Sequence, residues 1–88
     1  MLQVCEENSF RSDLKKVIKR GKNINKLKEV VELLAEEKSL PPRLRDHNLI
    51  GNYKGTRECH IEPDWLLIYY KDKFNLVLVR TGTHSDLF

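Results

Sequence analysis

Three histidines, His47, His60 and His84, all fall in the C-terminal half of the chain, at positions read below as loop or strand. Imidazole is the side chain best suited to moving protons near neutral pH, because its unperturbed pKa is about 6.5. His60 stands in the run Arg57-Glu58-Cys59-His60-Ile61-Glu62, where a strand's period of two sends Cys59 and Ile61 to one face and Glu58, His60 and Glu62 to the other. His60 therefore points away from the apolar side. Asp64 follows in a Pro63-Asp64 turn, near enough in sequence to orient or charge the His60 imidazole, although Pro-Asp is also an ordinary turn pair. His84 lies in Thr81-Gly82-Thr83-His84-Ser85, where a glycine-containing loop can bring it back over the edge of a sheet. Trp65 and Phe88 each have two readings, packing or stacking on a nucleobase, the second worth about 1–3 kcal/mol per base. For Trp65, inside an apolar run, packing is the favoured role.

Three imidazoles and a carboxylate also suit zinc. There is no H-x-x-x-H pair or H-E-x-x-H motif, and the spacings of 13 and 24 residues between the histidines neither require nor exclude a metal. Cysteine–histidine catalysis is disfavoured because Cys59 alternates onto the face opposite His60. Cys5 and Cys59 have no paired spacing, and both are expected to be buried free thiols.

The elements that must hold these residues are few. With 88 residues the chain makes one domain, and Leu, Ile, Val and Phe fill 27 positions, enough to fold. A domain this small has modest stability, so a tightly bound partner is expected. Residues 2–6 read as a strand. Asn8 or Ser9 opens a helix with Phe10, Leu14, Val17 and Ile18 on one face, and Gly21 stops it. Asn23 or Asn25 opens a second helix on Ile24, Leu27, Val30, Val31 and Leu34, ending at Ser39-Leu40-Pro41-Pro42. Residues 43–55 lose periodicity and form a loop long enough to carry function. Strands at 57–62, 65–70 and 74–81 then form an antiparallel meander whose middle member is apolar on both parities, so both its faces are covered, one by the helical hairpin. The predicted fold is α+β, in the order β-α-α-β-β-β.

Charge is unevenly placed within the net +3. From Arg11 to Lys28 there are eight bases and one acid, whereas Glu29 to Glu37 carries four acids and no base. That basic stretch is either a polyanion-binding surface or a solvated helix face. The longest apolar run, Trp65 to Tyr70, is six residues, against about 20 for a membrane-spanning helix. No signal-peptide pattern stands at the start, so a cytoplasmic location is expected.

Taken together, Asp46-His47, then Leu49, Gly51, Lys54 and Arg57, then His60-Ile61-Glu62-Pro63-Asp64-Trp65-Leu66-Leu67-Ile68-Tyr69, and finally Arg80-Thr81-Gly82-Thr83-His84-Ser85 with Leu87-Phe88, form a distinctive series. It resembles the YafQ branch of the RelE/ParE toxin superfamily over essentially the whole chain. The resemblance implies a RelE-like fold and the toxin half of a type II toxin–antitoxin pair, a ribosome-dependent endoribonuclease that cuts messenger RNA in the ribosomal A site. It implies His47, His60, Asp64 and His84 as the catalytic set, Trp65 and Phe88 in support, and Arg80 as a phosphate or transition-state contact. His84 would be the general acid, Asp64 and His60 would act on the base and orienting side, and His47 would position substrate or share the base role. No metal or other cofactor is implied. The implied partners are a cognate antitoxin, the ribosome and mRNA, with Lys15, Lys16, Lys19, Arg20, Lys22, Lys26, Lys54 and Arg57 facing RNA. Two alternatives are a non-catalytic ParE-like toxin, whose relatives lack this histidine set, and an RNA-binding module that cuts nothing.

Overall fold

A computed structural model describes residues 1–88. Its five-stranded sheet has the order β1-β5-β4-β3-β2, from Gln3–Glu6 (β1), His47–Asn48 (β2), Arg57–Glu62 (β3), Trp65–Lys71 (β4) and Asn75–Gly82 (β5). β1 runs parallel to β5, and every other pairing is antiparallel. A parallel pair needs a long crossover, and the two helices Asn8–Lys19 (α1) and Ile24–Ala35 (α2) begin it. The predicted meander is present as β3, β4 and β5. The two-residue β2 and a terminal helix, His84–Leu87 (α3), are additions to the expected order.

The hairpin forms for the reasons its sequence suggested, with three local differences. In α1, Phe10 and Val17 are buried and Leu14 half-buried, but Ile18 is half-exposed, so the apolar stripe is narrower than predicted. Glu7 occupies the N-cap without a side-chain bond, which leaves the Ser9 hydroxyl free to donate to the Val79 carbonyl at 2.7 Å. Gly21, at φ 80°, then turns the chain where a side chain would be strained. In α2 the Asn23 side chain accepts from the Asn25 N–H at 3.0 Å, a normal N-cap. This helix ends at Ala35, short of the prolines, because Glu37 takes a left-handed φ of 58°.

Both faces of β4 are covered. Trp65, Leu67 and Tyr69 join Cys59, Leu76, Leu78 and the apolar stripes of α1 and α2 in the main core. Leu66 and Ile68 face the other way, into a small cluster with Leu87 of α3, bordered by Leu49 and Tyr53 of the long connection. The second layer is what gives the far side of the sheet a floor. Cys59 is fully buried and burial pushes its thiol up to about 12, whereas Cys5, on the edge strand, is only half-buried, contrary to expectation.

Candidate active site

The three histidines arrive from three elements on the second face of the sheet. His47, on β2, pairs across from Glu58 of β3, and His60 follows Glu58 by two residues on the same strand. His84 is the first residue of α3. The predicted loop there is a helical turn, closed by a capping box in which the Asp86 N–H donates to Thr83 Oγ1 at 3.2 Å and the Thr83 N–H donates to Asp86 Oδ2 at 2.9 Å. Gly82 is needed beneath it, since a Cβ there would lie 2.8 Å from Asp86 Oδ2. Arg20 fastens the turn to the end of α1 with two bonds to Asp86, at 2.6 and 3.1 Å. That guanidinium is the main cause that holds the Asp86 carboxyl far below the ordinary carboxylate range.

Ring centroids lie 6.3 Å apart for His47 and His60, and 5.6 Å apart for His60 and His84. Each ring has its Nδ1 against a fixed oxygen: Arg45 O at 2.6 Å for His47, Pro63 O at 3.3 Å for His60, and Asp64 Oδ1 at 2.7 Å for His84. A carbonyl or carboxylate can only accept, so Nδ1 carries the proton in all three and Nε2 is left for chemistry. Asp64 thus meets a different imidazole from the one predicted. Its Oδ1 also accepts the His84 backbone N–H at 2.9 Å, and these two bonds, the backbone one first, lower its pKa.

The carboxylate beside His60 is Glu58, which the sequence reading left unassigned. It is 5% exposed, with Oε1 at 3.5 Å from His60 Nε2 and Oε2 at 3.5 Å from His47 Nε2. Its signal was available, because Glu58 and His60 are i and i+2 on one strand face. Glu58, His60 and His84 also offer donor atoms within 4.8 Å of one another, a set that can hold a metal ion.

Arg80 reaches this face from β5 but is not a free cation. Its Nε and Nη2 donate to Asp13 of α1 at 2.5 and 3.1 Å, and Asp13 also accepts the Thr81 backbone N–H at 3.2 Å. Arg80 Nη1 lies 3.3 Å from the Tyr53 hydroxyl, which donates to Leu87 O at 3.4 Å while its ring meets Phe88 edge-on at 5.5 Å. Tyr53 therefore joins Arg80 to the chain's last aromatic, a second residue that sequence reasoning missed, though it lies in the connection flagged as functional. Phe88 is 63% exposed and available to stack on a base. Trp65 is not: it is 1% exposed, with Nε1 donating to Thr81 Oγ1 at 3.0 Å, so of its two readings the favoured one, packing, is the one the structure has.

The predicted RNA-facing set divides in two. Arg20 is paired with Asp86, Lys22 and Lys26 converge on Glu62 at 2.9 Å each, and Arg57 bonds Asp46 and Asn48 at 3.0 and 2.8 Å. These four act first as braces between elements. Lys15, Lys16, Lys19 and Lys54 are exposed and make no ion pair.

Residues 2–88 match the family described as the bacterial toxin of a type II toxin–antitoxin system, YafQ. The chain belongs to the YafQ toxin family. It is 45% identical, over 80 residues covering 90% of this chain and 87% of the relative, to the mRNA interferase toxin YafQ of Escherichia coli K12. A copper-bound mutant toxin from Helicobacter pylori has the same fold at TM-score 0.95 and 40% identity, with 100% of both chains covered. The toxin in the E. coli DinJ–YafQ toxin–antitoxin complex matches at TM-score 0.91 and 41% identity, over 99% of this chain and 97% of that one. The RelE-like α+β architecture expected from the sequence is the one this YafQ-family chain adopts. None of its helices is long and apolar enough to cross a membrane.

Proposed function

We propose that this chain is an mRNA interferase, the enzymatic toxin of a type II pair, and that it cuts messenger RNA on the ribosome through the RNA's own 2′-hydroxyl. The observation that carries this reading is the trio of imidazoles on one face of the sheet, each held through Nδ1, with His60 between His47 and His84 at ring separations of 6.3 and 5.6 Å. His60 takes the 2′-hydroxyl proton, the 2′-oxygen bonds to phosphorus, and His84 gives a proton to the 5′-oxygen as the P–O5′ bond breaks. Glu58 faces the imidazolium formed at His60, and His47 positions the substrate from its other side. Asp64 orients the acid, and Arg80 stabilises charge on the phosphorane. The products are a 2′,3′-cyclic phosphate and a 5′-hydroxyl.

No metal or other cofactor takes a step in this reaction. The donor set Glu58, His60 and His84, and the copper bound by the H. pylori toxin, favour a second reading in which a metal sits here. Such an ion would occupy imidazole nitrogens that the proton transfers use, so in the proposed chemistry it inhibits.

Ribosome dependence follows from how little of the site grips RNA: two of its three imidazoles are about half-exposed and Arg80 is already paired, so the ribosome must orient the message. Lys15, Lys16, Lys19 and Lys54 then serve as contacts to ribosomal RNA, and the place of action is the cytoplasm. A cognate antitoxin is the protein partner, as DinJ is for the E. coli toxin. The test compares cutting of one message with and without ribosomes for the parent and His84→Ala. Ribosome-dependent cutting that His84→Ala abolishes, with folding and antitoxin binding kept, is expected. Efficient cutting of free RNA, or an active His84→Ala, would overturn the reading.

A further inference from the structure

Four of the six arginines are neutralised: Arg11 by Glu6, Arg20 by Asp86, Arg57 by Asp46 and Arg80 by Asp13. The two that are not, Arg43 and Arg45, are both exposed and both line a single cleft of about 440 Å³ beside His60. Its size lies within the range of about 300–1,000 Å³ common to small-ligand sites. Leu44 and Ile61, both buried, give it an apolar floor. Its one acid, Glu62, is already held by Lys22 and Lys26, the main cause of its lowered pKa, so the guanidiniums dominate the charge that the cleft presents.

The cleft is fixed to the reaction centre. Pro42–Leu44 forms a 3₁₀ turn, and Arg45 leaves it at a left-handed φ of 50°, with its N–H donating to Pro42 O at 3.1 Å. The Arg45 carbonyl then accepts the Nδ1 proton of His47 at 2.6 Å. One residue therefore both orients a site imidazole through its carbonyl and lines the cleft, which His60 lines as well.

We propose that this cleft is the subsite for the nucleotide on the 2′-hydroxyl side of the cut, with Arg43 and Arg45 gripping its phosphate and the Leu44–Ile61 floor taking its base. The side of the cut follows from His60 acting as base, so the inference rests on the function proposed above. Arginine suits the role because its planar fork pairs with two phosphate oxygens at once.

The experiment uses Arg43→Gln, Arg45→Gln, the double variant and the Arg→Lys pair, all assayed on ribosomes programmed with one message. Binding is measured on a message carrying a 2′-deoxy nucleotide at the cut, and cleavage on the all-ribose form. The double variant should bind about tenfold more weakly or worse. Its log–log salt slope should fall by about 1–2, as expected for two lost phosphate contacts. The Arg→Lys pair should recover part of the affinity, since charge is kept and the fork lost. Unchanged binding and salt slope in the double variant would overturn the subsite, as would weakened antitoxin binding with RNA binding intact, which would make the cleft a protein interface. A parent that binds the ribosome-held message through these arginines but cuts nothing would instead overturn the ribonuclease reading.

Discussion

Asp13 is the residue whose loss the structure makes most costly outside the apolar core. Replacing it with alanine removes three bonds at once, two to the Arg80 guanidinium and one to the Thr81 N–H. The Asp13 side chain is 7% exposed and that of Arg80 26%. Breaking a buried ion pair from one side costs about 3–5 kcal/mol, because the remaining charge is left unpaired. Arg80 keeps a quarter of its exposure and can recruit water, so the lower end applies, about 3 kcal/mol. For a domain of this size that corresponds to a fall in Tm of about 12–24 °C, at about 4–8 °C per kcal/mol. Urea denaturation and thermal melts of Asp13→Ala, Arg80→Ala and the double variant measure it. The double variant should be more stable than Asp13→Ala alone by about 1–2 kcal/mol, since the stranded charge is gone. A loss below about 1 kcal/mol in Asp13→Ala, or strict additivity in the double variant, would refute the pairing as a structural brace.

Leu67→Ala, at a fully buried position of the central strand, should cost about 2–5 kcal/mol in urea denaturation, and full stability would show the core to be misplaced. Phe88→Ala should lower ribosome-dependent cleavage while moving Tm little, because the ring is mostly exposed and touches Tyr53 only edge-on; unchanged cleavage would remove it from the site. Asp64, Asp86 and Glu62 all have folded pKa values below their ordinary 3.8, 3.8 and 4.5, so their contribution is full above those values and is lost as pH falls through the lowered ones. The urea midpoint should accordingly drop as pH goes below about 4.5, and a midpoint unchanged down to about pH 2 would contradict these pairings.

Local pattern was enough to read the hairpin and the meander, because each spans several repeats of its own period. It was not enough for α3, whose four residues are too short to show a helical period, although Thr83 and Asp86 stand at capping-box spacing. Strand alternation placed His60 off the apolar face correctly and put Glu58 beside it. What alternation could not supply was that β2 brings His47 across from Glu58, since a two-residue strand leaves no pattern. Asp64 looked like a partner for His60 because the two are near in sequence, yet a turn lets it face away from its own hairpin toward α3. The braces were the least legible: Asp13 and Arg80 are 67 positions apart, Arg20 and Asp86 66, and no spacing rule links them. For that reason a stretch that reads as predominantly basic turned out to be half structural.

The central claim is proton transfer by fixed imidazoles to and from the RNA's own oxygens, and the ends of the cut message report it directly. Ribosome-bound mRNA is treated with the purified toxin in the presence of a chelator at a concentration that leaves ribosomes intact, and the fragment ends are identified by mass spectrometry. A 5′-hydroxyl paired with a 2′,3′-cyclic phosphate or 3′-phosphate, formed at the same rate with and without chelator, is the predicted result. A 5′-phosphate, or cutting that the chelator abolishes and added metal restores, would mean that a metal-activated water does the chemistry and would contradict it.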